Sequence, residues 1–349
     1  MFDSKKVTNK ILTALSLGMA LFSCKQEPTI PERPSGWEIL ATPVEASLRG
    51  LSAVTSEIAW ASGSGGTWLR TIDEGKTWDH GVIAGLDTVD FRSIHAFDAL
   101  TAIAVSAGQP AVIYKTSDGG QTWVLKHQES ANAFLDGISF ADEKSGYVFG
   151  DPVDGNWMIL QTFNQGESWY PISQLPEAAE GEAGFAASGS SFLAEGNNLW
   201  LGSGGKEANL YQSTDGGKTW DKFSSPLMQG QASQGIFSLA SIGAGEILCV
   251  GGDYTLLDST ARNAGLFLSE GKEWVTIQKS PSGYRSGVIY FPRFKWVLAV
   301  GPEGSDFSAD GGINWSGFST EGFHSIRLGH AEGSVWASGS NGKIGRLNF

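Results

Sequence analysis

Three features of this sequence predict an all-β chain folded as a seven-bladed β-propeller of four-stranded blades. A short turn ending in Trp recurs along the chain. Apolar stretches run into glycine ahead of each turn. The two ends carry complementary halves of one further blade. Composition agrees: of 349 residues, 47 are Gly and 13 are Trp, and only 17% are charged, which suits many short strands and tight turns.

The first turn reads Thr71-Ile72-Asp73-Glu74-Gly75-Lys76-Thr77-Trp78. In register with it stand Thr116, Asp118, Gly120 and Trp123; Thr162, Asn164, Gly166 and Trp169; Ser213, Asp215, Gly217 and Trp220; and Ser308, Asp310, Gly312 and Trp315. A degraded copy has Ser269 at the Asp position and ends in Trp274. A side-chain oxygen at that position can accept hydrogen bonds from the amides of its own turn. Glycine supplies a backbone conformation that other residues disfavour, and Trp packs under the hairpin and against a neighbouring blade. Asp73, Asp118, Asn164, Asp215 and Asp310 are therefore expected to be structural staples, not catalysts or metal ligands.

The strands come next. Ile58–Gly63, Tyr147–Gly150, Leu199–Gly202, Ile247–Gly251 and Trp296–Gly301 are nearly continuous apolar runs, as expected for strands buried between blades. Cys249 lies in one of them and reads as a small core residue. The C-terminal Val335–Gly339 and Gly345–Phe349 stop before a Trp turn appears, while Gly36-Trp37-Glu38-Ile39-Leu40 supplies an orphan outer strand. Joined, they make a last blade closed by N- and C-terminal strands, which removes exposed sheet edges.

Propeller ligands sit at a mouth of the central channel, near the start of the innermost strands. Those starts align as Leu48-Arg49-Gly50, Phe91-Arg92-Ser93, Leu135-Asp136-Gly137, Tyr284-Arg285-Ser286 and Phe323-His324-Ser325, with Ala186-Ala187-Ser188 and Ile236-Phe237-Ser238 for blades four and five. One column holds Arg49, Arg92, Asp136, Arg285 and His324. Three arginines at one repeat position suit a ring that grips a carboxylate or other anion; they equally suit structural pairing with nearby acids, Asp136 among them. The Gly150-Asp151-Pro152 insertion and Gly251-Gly252-Asp253-Tyr254 are expected to reach the same mouth, adding Asp151 and Asp253 as candidates. His80, His95, His127 and His330 show no metal-ligand spacing. No glycine-rich dinucleotide motif occurs, and neither a metal nor a cofactor is expected.

The N-terminus reads as a targeting segment. Lys5, Lys6 and Lys10 precede the apolar run Ile11 to Leu21, which is too short to span a bilayer as a mature helix. Leu21-Phe22-Ser23-Cys24 resembles the lipobox of bacterial lipoproteins. The expected organisation is a signal peptide over 1–23, a Pro-rich flexible tether over 24–35 and the propeller over 36–349. Lipid on Cys24 would anchor the chain to a cell envelope. Lys25 after the cysteine favours the outer membrane. The net charge of −13 argues against nucleic-acid binding, and a monomer is expected.

The turn motif S/T-x-D-x-G-x-x-W is the Asp-box, or BNR repeat. With the strand-glycine pattern, the Gly-Asp-Pro loop and the closing blade, residues 36–349 resemble the photosystem II stability/assembly factor family. That resemblance implies a non-catalytic assembly protein that binds the tail of a membrane-protein precursor through an arginine patch, and it carries this role to Arg49, Arg92 and Arg285. The lipobox implies a different compartment and client. The expected function is a binding or assembly propeller at the envelope, gripping a protein client or anionic ligand at the channel mouth. Two alternatives remain: a sialidase-like glycoside hydrolase, which needs a Tyr–Glu nucleophile pair, and a glycan-binding surface lipoprotein using exposed Trp68 or Trp157.

Overall fold

The computed structural model describes residues 31–329 and 333–349. The expected signal peptide, Cys24 and most of the expected tether lie outside the described residues, as does His330.

Seven antiparallel sheets follow one another along the chain. Blade 1 runs from the inner strand Leu48–Ala53 through Ala59–Gly63 and Thr67–Thr71 to the outer strand Asp79–Val82. Blades 2 to 6 begin at Asp90–Ala96, Leu135–Phe140, Phe192–Glu195, Gln231–Gly243 and Gly287–Phe291. Blade 7 starts at Ser325–Leu328, and Gly36–Leu40 is its outer strand, paired antiparallel with Ile344–Asn348 through Trp37↔Leu347 and Ile39↔Gly345. The seven-bladed architecture and its closure by both ends are thus as the sequence predicts.

The core is divided among the blade interfaces. Second strands such as Trp296–Gly301 are wholly buried, whereas outer strands such as Val124–Gln128 are largely exposed. Each turn tryptophan packs against the preceding blade. Trp78 meets Trp336 of blade 7 edge-on at 6.4 Å, and Trp123 meets Trp60 of blade 1 at 6.3 Å. Trp315 joins Leu248 and Val250 of blade 5. Trp37 does the same for the closing blade, stacking into the Phe291 and Trp296 cluster and donating Nε1–H to Ser305 Oγ at 3.0 Å. Gly75 shows why this turn needs glycine. Its φ is +83°, and a Cβ there would lie 2.4 Å from Leu40 of the neighbouring blade. Cys249 is wholly buried in the interface of blades 4 and 5.

The turn side chains form one repeated network. Asp73 Oδ1 accepts the Thr77 amide at 2.9 Å, Oδ2 accepts the Thr77 hydroxyl at 2.6 Å, and Thr71 Oγ1 donates to Oδ1 at 2.9 Å. Asp118, Asp215 and Asp310 repeat it. Asn164 accepts the Ser168 amide and donates to its hydroxyl, making the same ring without charge. Antiparallel strand order places these turns at the end of each blade away from the inner-strand starts.

One segment breaks the repeat. Between blades 3 and 4 the chain detours over blade 5, where Glu182–Ala183 pairs with Gly204–Gly205 and that strand pairs with Gln231–Gly243, so blade 5 becomes six-stranded. The Ala186-Ala187-Ser188 stretch, expected as the inner-strand start of blade 4, is instead a loop across the channel. Its small side chains fit the narrow axis, and its carbonyls are satisfied from other blades. Arg327 Nη2 of blade 7 donates to Ser188 O at 2.6 Å, and Arg49 Nη1 of blade 1 donates to Ala187 O at 3.1 Å. Ser188 Oγ in turn donates to Ser286 O of blade 6 at 2.6 Å.

Candidate binding cavity at the channel mouth

This crossing loop forms the floor of a cavity of about 510 Å³ at the inner-strand starts. A β-bulge interrupts the first strand pair between Leu48 and Gly50 in blade 1, Asp90 and Ser93 in blade 2, Leu135 and Gly137 in blade 3, and Ile236 and Ser238 in blade 5. A bulge holds one residue out of the ladder and re-aims its side chain. Arg49, Arg92, Asp136 and Phe237 lie within these irregularities, and all four line the cavity.

Arg49 is half-buried and has no acidic partner among the described residues. Its Nη1 bonds only to the Ala187 carbonyl. Burial and the neighbouring Arg92 lower its pKa. Arg92 gives its Nε to Asp90 Oδ2 at 2.7 Å, and its side chain remains 36% exposed. Asp136 is 1% exposed, and neither carboxyl oxygen has a hydrogen-bond partner among the described residues; the Ala186 amide lies nearby without reaching bonding geometry. Burial, reinforced by Asp151, holds its pKa well above the usual carboxylate range. Asp151 accepts the Gly184 amide at 2.8 Å, and burial raises its pKa also. His324 Nε2 meets Ser340 Oγ at 2.9 Å; burial, then Arg49 and Arg92, lower its pKa to about 3, so the ring is neutral at pH 7.

Two candidates stand apart. Arg285 precedes its strand without a bulge and turns away from the cavity. It makes an ion pair with Asp306, the two side chains being 3% and 0% exposed, and Ser282 also donates to that carboxylate. Arg285 is therefore a structural residue, and its acid is Asp306 rather than Asp136. Asp253 is turned toward Thr255 and Gln234 and does not line the cavity, although the adjacent Tyr254 does. The Gly-Asp-Pro segment is not a loop. It prolongs the strand Gly146–Val153, and a tight turn at Asp154 (φ 52°) and Gly155 (φ 82°) then leads into Asn156–Thr162.

The apolar wall was not read from the sequence. Phe185 stacks on Phe237 with centroids 3.8 Å apart, Tyr284 meets Phe237 edge-on at 4.8 Å, and Phe134, Leu257 and Pro302 complete it. Phe237 stands in the aligned column, Tyr284 adjoins it, and both could have been found there. Phe185 lies in the detour, which has no repeat register. The arrangement joins an apolar face to fixed cations and carboxyls, as ligand cavities do.

Two alternatives meet contrary geometry. Trp157 is wholly buried and Trp68 is 7% exposed, because both pack in blade interfaces, so neither offers a sugar platform. Among the described residues no Glu lines the cavity to partner Tyr254 or Tyr284 for sialidase chemistry.

Residues 31–128 match the family model described as photosynthesis system II assembly factor YCF48. The photosystem II assembly lipoprotein Ycf48 of Trichormus variabilis is 27% identical over 180 residues, covering 49% of this chain and 46% of that protein. The chain thus spans about half the length of this relative. Its counterpart from a Synechococcus strain is 26% identical over 223 residues, covering 63% and 61%. A solved YCF48 bound to D1 peptide superposes with a TM-score of 0.63 at 14% identity, covering 91% of this chain and 96% of that one. YCF48 from Cyanidioschyzon merolae gives 0.64 at 16% identity, covering 89% and 98%. At such identities the solved structures speak for the fold. By sequence motif and architecture together, this chain is a seven-bladed propeller similar to the photosynthesis system II assembly factors.

Proposed function

We propose that the chain is a non-catalytic binding propeller at a bacterial cell envelope, where it holds a carboxylate-bearing segment of a protein client during assembly. The observation that carries this reading is Arg49: a half-buried guanidinium without an ion pair among the described residues, beside Arg92 and an apolar wall. A bound carboxylate would supply the missing countercharge in a bidentate pair. Relatives named as assembly lipoproteins, and a similar fold solved with a D1 peptide, support a peptide ligand. A lipid on Cys24 would tether the propeller, with the outer membrane as the favoured site.

The test is capture of client protein from solubilised envelope by the full chain, set against an Arg49→Ala/Arg92→Ala variant with the same melting temperature. A client retained only by the unsubstituted chain supports the reading. Equal capture by both overturns it. Arg285 is left unchanged, because its ion pair belongs to the fold.

A further inference from the structure

The cavity contains a second polar feature that anion binding leaves unexplained. Asp136 is buried in the cavity wall, and among the described residues neither of its carboxyl oxygens receives a hydrogen bond of good geometry, the Ala186 amide lying nearby. The nearby cations do not neutralise it: Arg92 is paired with Asp90, and Arg49 is bonded to the Ala187 carbonyl. A buried acceptor left without a donor is costly, and such groups are rare in folded proteins. Gly184 brings a second carboxyl to the same spot. A Cβ at Gly184 would lie 2.3 Å from Asp136 Oδ2, while its amide donates to Asp151 Oδ1 at 2.8 Å. One residue without a side chain thus lies against both acids.

Asp151 faces outward as well. It lines an adjoining cleft with Pro152, Gly155, Glu177 and Glu180, which puts two further acids on the rim beside it. The apolar wall of Phe185 and Phe237 lines the same cavity.

We propose that Asp136 and Asp151 form a cation-binding pole, receiving the ammonium or guanidinium of a Lys or Arg side chain whose peptide places its carboxylate on Arg49 and Arg92. The inference rests on the peptide-binding reading and narrows it to segments carrying a basic side chain beside the carboxylate. An ammonium has three donors to offer the carboxyl oxygens. The aliphatic stem of the side chain packs along the aromatic wall.

The experiment is calorimetric titration of the full chain with two probes, N-acetyl-Ala-Lys and N-acetyl-Ala-norleucine, both with free C-terminal carboxylates. The lysine peptide is expected to bind about tenfold or more tightly than the norleucine peptide, the scale of one charge-assisted hydrogen bond. That preference should disappear in Asp136→Asn/Asp151→Asn, with melting temperature equal to or above that of the parent. Equal affinity for both probes, with both lost in Arg49→Ala, overturns the cation pole and leaves the carboxylate site standing. Binding of neither probe by the parent chain overturns both.

Discussion

Arg285 and Asp306 form an ion pair sealed inside blade 6, although Arg285 shares its repeat position with two arginines that open into the cavity. The difference is the backbone. Blades 1 and 2 carry a bulge at this position, whereas in blade 6 the regular ladder starts only at Gly287.

Removing one partner of that pair strands a buried charge. Arg285→Ala is expected to destabilise the propeller by about 3–5 kcal/mol, and an apolar replacement of both partners, Arg285→Met/Asp306→Leu, to recover most of the loss. Urea denaturation of the three proteins checks this. Equal loss in the single and double variants would contradict it.

Asp136→Asn should stabilise the unliganded protein at pH 7. Burial raises the folded carboxyl above its ordinary value of 3.8. The folded state therefore holds a proton that the unfolded chain releases, and stability declines as pH rises from 3.8 toward the folded pKa. The gain from Asn should vanish at and below pH 3.8. Melting temperatures of both proteins across pH 3 to 8 would show it.

His324 acts on the acid side. Its pKa falls from 6.5 unfolded to about 3 folded, so its contribution is complete above 6.5 and is lost progressively as pH drops toward 3. His324→Gln should lose less stability than the parent between pH 6.5 and pH 4. Identical acid profiles would show that the imidazole is not responsible.

The turn acids contribute acid sensitivity of a different origin. Hydrogen bonds from Thr122, first its hydroxyl and then its amide, lower the Asp118 pKa below 3.8. Its contribution is present above 3.8 and lost as pH falls through the folded value. Because Asn164 makes the equivalent ring without charge, Asp118→Asn should retain most of the melting temperature at pH 7 and weaken its fall at acid pH. Asp118→Ala should lower it at both. Thermal melts at pH 7 and pH 3 separate the two outcomes.

Much of the site was legible because a repeat lets positions be compared. Aligning the inner-strand starts was enough to bring Arg49, Arg92, Asp136 and His324 to one mouth, and the strand-end Asp151 with them. Alignment could not tell that Arg285 turns inward. The two arginines that open into the cavity lie at bulges and Arg285 does not, and a bulge depends on how neighbouring strands pair. Nor could alignment tell that Asp253, expected at the mouth, is turned aside, since Thr255 and Gln234 capture its carboxylate locally.

The sequence by itself determined the blade number, the strand order, the turn staples and the closure by both ends. Each of these rests on local periodicity: nearly continuous apolar runs, a Gly where φ is positive, and a Trp at fixed distance from it. Tertiary structure decided the cavity. Its floor is the loop through Ala187 and Ser188, and its wall includes Phe185; both belong to a detour outside the repeat. Where that segment settles depends on carbonyls finding Arg49 and Arg327 across the channel axis, partners from blades 1 and 7 that come near only when the ring is closed.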